Sequence, residues 1–159
     1  MIDLIANKNV EKEVLKALDR SVRKMGFEIV KIRYNEGKYS LLQIFLDSEV
    51  KKITVDDCAI VSKKVSLLLE VDKVIRDDFT LEVSSPGTDR PLTQLKHLKE
   101  CIGQKIYVKT NKKFLNKNHF NVKLLGFNEE RIFVDHENIS EGFTYNDIVD
   151  IELRQNIRI

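Results

Sequence analysis

The chain has 159 residues, with 27 Lys and Arg against 25 Asp and Glu, a net charge of +2, 42% hydrophobic and 33% charged residues. That length gives room for one ordinary domain or two small ones, and the composition excludes a disordered or fibrous chain. Its apolar runs are too short to span a membrane as a helix. The opening "MIDLIANKNVEKEVL" lacks the apolar core of a signal peptide, so a cytoplasmic location is expected. Two cysteines, Cys58 and Cys101, are too few for a disulfide framework and are expected to be reduced thiols.

In chain order, Val10, Val14, Ala17, Leu18, Val22 and Met25 recur at helical spacing, predicting an amphipathic helix over roughly 8–25 with Gly26 as its stop. "FEIVKIRY" (27–34) and "YSLLQIFLD" (39–47) read as strands, and "NEGK" between them makes a hairpin. Thr54 is a plausible N-cap for the next helix, with Asp57 three residues on and Cys58, Val61, Val65, Leu68 and Leu69 along one face. In "FTLEVS" (79–84), Phe79, Leu81 and Val83 alternate with polar residues, predicting a third strand. The order α-β-β-α-β places two helices on one face of a small sheet.

After Pro91, "LTQLKHLKECIG" predicts a short helix ending at Gly103. Then "KIYVKT", "HFNVKLLGF", "RIFVDH", "GFTYN" and "DIVDIEL" read as closely spaced short strands, suggesting a small five-stranded barrel of SH3 or Sm type. The fold class is therefore α+β, with an N-terminal α/β domain over 1–91. A C-terminal barrel domain with a short leading helix follows over 92–159.

Charge changes character at the same boundary. Residues 1–91 carry 16 basic and 16 acidic residues, whereas beyond them the signs segregate. "KIYVKTNKKFLNKNHFNVK" (105–123) has six lysines and no acid, and 129–152 has eight acids against Arg131 alone. Lysines interleaved with Tyr107, Phe114 and Phe120 suit phosphate contact with base stacking. Equally, such aromatics can simply fill a core between strands. Lys109, Lys112, Lys113 and Lys117 are the candidate contact residues, and the acidic segment after Glu129 is a candidate dock for a basic protein.

Both prolines of the chain fall in "FTLEVSSPGTDRPL" (79–92). Ser85-Pro86-Gly87-Thr88 fits a type II turn, with Gly87 supplying a positive φ. Pro91 suits the first position of a helix, Asp89 could accept from its free N–H groups, and Arg90 could reach a carboxylate or phosphate. Ser85, Pro86, Gly87, Asp89, Arg90 and Pro91 are thus expected to form a stiff domain junction, since a flexible linker would be rich in Gly and Ser without proline.

Signals for catalysis are weak. Ser84 and Ser85 lack a G-x-S-x-G setting, and Ser21 with Lys24 is a cheap S-x-x-K match. His97 and Cys101, spaced i, i+4, make only two metal ligands, and His119 and His136 are isolated. No Gly-rich phosphate loop, paired cysteines or HExxH occurs, so neither catalytic residues nor a metal or other cofactor are expected.

The stretch "LEVSSPGTDRPL" resembles the signature of the bacterial ribosome maturation factor family RimP, with Leu81 through Gly87 and Asp89 through Leu92 in place. "ITVDDCAIVSKKVSLLLE" is similar to that family's second helix, "CIGQKIYVK" to the lead into its C-terminal barrel and "FTYNDIVDIEL" to its last strands. Phe79 stands where tyrosine is usual, Thr88 where an apolar residue is usual, and "VDKVIRDD" lacks the usual proline and glycine. The resemblance implies a two-domain, non-enzymatic cytoplasmic factor that binds the immature small ribosomal subunit and promotes its maturation. It implies contact between the barrel and a small-subunit ribosomal protein, with ribosomal RNA as a candidate second contact. A monomer without membrane association is expected. The alternatives are a free-standing RNA-binding module of Sm or KH type, and a small hydrolase.

Overall fold

The computed structural model describes residues 4–87 and 89–154. Contacts divide these into two units, 5–86 and 87–154, with Leu4 belonging to the second.

The first unit has the order α1 (Asn9–Lys24), β1 (Glu28–Asn35), β2 (Leu41–Asp47), α2 (Val55–Asp72) and β3 (Thr80–Ser84). This is the expected α-β-β-α-β order, with bounds close to those read from periodicity. β1 and β2 form an antiparallel hairpin, and β3 joins β2 in parallel, giving the order β1-β2-β3. Parallel addition needs a crossover, which α2 supplies. Val14, Leu18 and Val22 of α1 and Val61, Val65 and Leu69 of α2 share one core with Leu42, Ile44 and Leu46 of β2. The alternation along β2 makes that possible, because every second side chain reaches the same face. At the start of α2 the Thr54 hydroxyl accepts from the Asp57 N–H at 3.1 Å, and the Asp57 carboxylate accepts from the Thr54 N–H at 2.9 Å. The backbone bond from Thr54, helped by Lys51, holds the Asp57 carboxyl below its ordinary value.

The second unit contains β4 (Asp89–Pro91), α3 (Leu95–Glu100), β5 (Lys105–Phe114), β6 (Lys117–Phe127), β7 (Arg131–Val134), β8 (Phe143–Thr144) and β9 (Ile148–Arg154). A 3-10 turn over Tyr145–Asp147 precedes β9. The strands form one antiparallel sheet in the order β4-β9-β5-β6-β7-β8. Six strands stand where five were expected, because Asp89–Pro91 pairs with β9. The described pairing runs from β4 to β8 without closing on itself. Ile106, Val108, Val122, Leu124, Ile132, Phe143, Ile148 and Ile151 belong to a single core, into which Leu4 is also buried.

One expectation fails. Pro91 does not open a helix: it is buried in β4, and the helix begins four residues later at Leu95. A ring-locked φ near −65° suits an edge strand as well as a helix start, and β4 is the end strand of its sheet. Asp89 accordingly caps no helix. Its carboxylate lies 4.0 Å from Arg154 Nε across the β4–β9 pair.

Candidate interaction surfaces

In the first unit, Ser85 is exposed, Pro86 is half-buried, and Gly87 at its boundary with the second unit has φ +65°. The positive φ is what the turn assignment asked of Gly87. The turn's fourth residue, Thr88, lies outside the described residues. A Cβ at Gly87 would meet nothing within 4 Å, so any substitution is opposed by backbone conformation alone. Gly87→Val is therefore expected to lower stability by about 1–2 kcal/mol, read from urea unfolding. A variant as stable as the parent would show that the left-handed conformation is not required.

The basic segment 105–123 is the β5–β6 hairpin, turned by Leu115 and Asn116 at φ +54° and +62°. Positive φ at both central residues marks a type I′-like hairpin turn, here without glycine. Pairing alternates the segment into two faces. Phe120 is buried, and Phe114 packs against the same core at 5.1 Å from Phe143 between ring centres. Those two aromatics are committed to packing and unavailable for base stacking.

Tyr107 has the opposite orientation. On the other face of β5 its hydroxyl shares a hydrogen bond with His119 Nδ1, and the Arg154 guanidinium lies 3.6 Å from its ring centre. Burial pushes the Tyr107 hydroxyl above its ordinary range, partly offset by Arg154. Lys105 pairs with Lys123 across the strands, and Lys109 stands between His119 and Asp150. This face therefore carries cations around a cation–π stack, with acidic neighbours on β9.

The four candidate lysines separate. Lys109 is half-buried, whereas Lys113 and Lys117 are exposed beside the turn. Lys112 is partly engaged, with Nζ 3.5 Å from Asp147 Oδ2 and 5.2 Å from the Phe114 ring centre. The acids of 129–152 lie in the turn before β7, in the loop after it, in the 3-10 turn and in β9. Asp147 accepts from the Thr144 hydroxyl at 3.0 Å, while Arg154 Nε donates to Glu152 at 3.0 Å.

The histidines and thiols considered for chemistry have structural surroundings. His97 Nδ1 accepts from the Thr93 and Gln94 N–H groups at 3.2 and 3.3 Å, capping α3. His136 Nδ1 accepts from the Asn138 N–H at 3.2 Å. Burial pushes the Cys58 thiol up, as does the Asp57 charge, against a lowering bond from the Ser85 backbone. Burial likewise raises Cys101, where Arg90 opposes and Glu100 adds to the shift. A raised thiol stays protonated and is a poor nucleophile or metal ligand. Among the described residues, no group of three or more His, Cys, Asp or Glu is arranged to hold a metal ion. No helix among the described residues is long and apolar enough to cross a membrane.

Sequence reading missed Glu11, whose carboxylate holds three backbone N–H groups. Glu11, 4% exposed, accepts through Oε1 from the Asn7 and Lys8 N–H groups at 2.9 and 2.8 Å, and through Oε2 from Tyr34 N–H at 2.8 Å. The local half was legible as an acid in the first helical turn. The bond to Tyr34 spans 23 residues and has no local signature.

The chain thus pairs an α+β unit with a sheet-rich unit whose β5–β6 hairpin carries the basic segment. Residues 17–89 match the family model of the RimP N-terminal domain, a span from within α1 to the start of β4. That match supports membership of the RimP family of ribosome maturation factors, through the N-terminal domain.

Proposed function

We propose that this protein is a non-enzymatic assembly factor that binds the immature small ribosomal subunit in the cytoplasm and promotes its maturation. The match of residues 17–89 to the RimP N-terminal domain carries this reading. The C-terminal domain expected over 92–159 then acts as an SH3- or Sm-like contact module. Its exposed Lys113 and Lys117 face phosphate or an acidic protein, and its acidic loop segment after Glu129 faces a basic ribosomal protein. Two modest surfaces on one chain gain effective concentration if the junction at Ser85–Pro91 sets their separation. Ser85, Pro86, Gly87, Asp89, Arg90 and Pro91 are the proposed junction residues. The protein acts as a monomer without a cofactor.

The test is sedimentation of lysate through a sucrose gradient. Co-migration with free small subunits and absence from joined ribosomes supports the reading; residence at the top of the gradient at low and moderate salt overturns it. Lys113→Glu combined with Lys117→Glu is the sharper probe, because Lys112 already faces Asp147. Subunit association should fall about tenfold at low salt, with a salt slope shallower by about two if both lysines meet phosphate. Association equal to the parent's, with an unchanged unfolding midpoint, removes these lysines from the surface.

A further inference from the structure

The first unit protects one edge of its sheet and leaves the other open. At β1, the outer edge is covered by the chain itself: Ile32 N–H donates to the Ile5 carbonyl at 2.8 Å, and Tyr34 N–H donates to Glu11 at 2.8 Å. At β3, within this unit and among the described residues, pairing is with β2 alone. Thr80 N–H donates inward to the Ser40 carbonyl at 2.9 Å. Strand alternation then turns the N–H and C=O groups of Leu81 and Val83 outward. Such a row of unpaired backbone groups is a template for another strand unless it is blunted.

Beside that edge is an open cavity of about 1100 Å³ between the end of α2 and β3. Phe79 and Leu81 contribute its apolar side, and Glu70, Asp72, Asp77 and Asp78 are among its charged lining residues. Lys73 and Arg76 also line it, leaving an excess of two negative charges, four carboxylates less two cations. Leu67 and Val71, at 61% and 77% exposed, stand on the neighbouring face of α2. An open strand edge, an apolar hollow and an acidic rim in one place select the ligand's chemistry. The backbone row calls for an extended chain, the hollow for alternate apolar side chains, and the rim for cations between them.

We propose that the β3 edge is a docking site for an extended basic peptide segment of about five residues, the length of β3, added as a fourth strand with alternate apolar side chains in the cavity. The proposal does not rest on the ribosomal reading: it follows from the sheet edge and cavity of the first unit.

The test uses the full chain, labelled with nitrogen-15 and titrated with the synthetic peptide Lys-Val-Lys-Val-Lys-Val-Lys. Two further peptides carry backbone N-methyl groups, one on the valines and one on the lysines. The parent peptide should shift the Leu81 and Val83 amide signals. One methylated peptide should bind about tenfold more weakly, since it loses two or more backbone bonds. Asp77→Asn combined with Asp78→Asn should weaken binding about threefold at low salt while leaving the unfolding midpoint in place. Absence of binding at millimolar peptide overturns the proposal, as do shifts confined to other residues. Equal affinity of all three peptides overturns strand addition, and unchanged affinity in the double variant overturns the acidic rim. A heptauridylate that reproduces the Leu81 and Val83 shifts more tightly than the peptide would assign the edge to RNA and overturn the peptide reading.

Discussion

Gly142→Ala is expected to destabilise the second unit by about 3–5 kcal/mol, the strain of a left-handed residue added to that of overpacking. Gly142 has φ +69°, and a Cβ there would overlap the Ile132 carbonyl oxygen and lie 2.9 Å from its carbonyl carbon and 3.2 Å from Phe133 Cα. All three are backbone atoms of β7, so no side chain can swing away. The close approach is what lets Phe143 pair with Ile132 and bury its ring 5.1 Å from both Phe114 and Phe120. A loss of that size is a large part of a small unit's total stability. Urea unfolding should show a much lower midpoint, with faster hydrogen exchange in β7 and β8. A loss below about 1 kcal/mol, no more than Gly87→Ala, would mean the two strands can separate without consequence. The comparison is informative because Gly87 shares the positive φ but has open space around it.

The second large effect is expected at Glu11→Ala, a loss of about 2–4 kcal/mol in the first unit. Three backbone N–H groups lose their acceptor together, and the Tyr34 bond is buried. An unsatisfied buried donor costs about 1–3 kcal/mol, more where the lost partner was charged. The carboxylate also sits in the first turn of α1, where the helix dipole favours a negative charge. Glu11→Gln should recover part of the loss, because one carbonyl oxygen remains while the amide NH₂ faces donors. Hydrogen exchange at Tyr34 is the direct readout. An unchanged Tyr34 exchange rate in Glu11→Ala would show that the N-terminal cover on β1 is held by something else, such as the Ile32-to-Ile5 bond.

These two residues show where sequence reading stopped. Both helices of the first unit, its three strands and the Thr54–Asp57 cap were legible, because periodicity and capping act over a few neighbouring residues. The positive φ of Gly87 was legible for the same reason, since Pro-Gly dictates a local backbone shape. Pro91 was misread because its fixed φ satisfies two local structures, and only the partner strand β9 chooses between them. Tyr107 and Phe120 looked alike in the basic segment, yet the register of β5 against β6 turned one toward Arg154 and buried the other.

The same division holds for the surfaces. By itself the sequence determined the α+β class, the N-terminal element order, the segregation of charge in the second half and the local turn at Pro86-Gly87. Tertiary structure alone decided which lysines stand clear, which sheet edge is covered and where the chain needs a residue without a Cβ. The physical reason is range. Local propensities are set by neighbours along the chain, whereas exposure, pairing and steric overlap depend on residues brought together from far apart, as Tyr34 is to Glu11 and Gly142 to the backbone of Ile132.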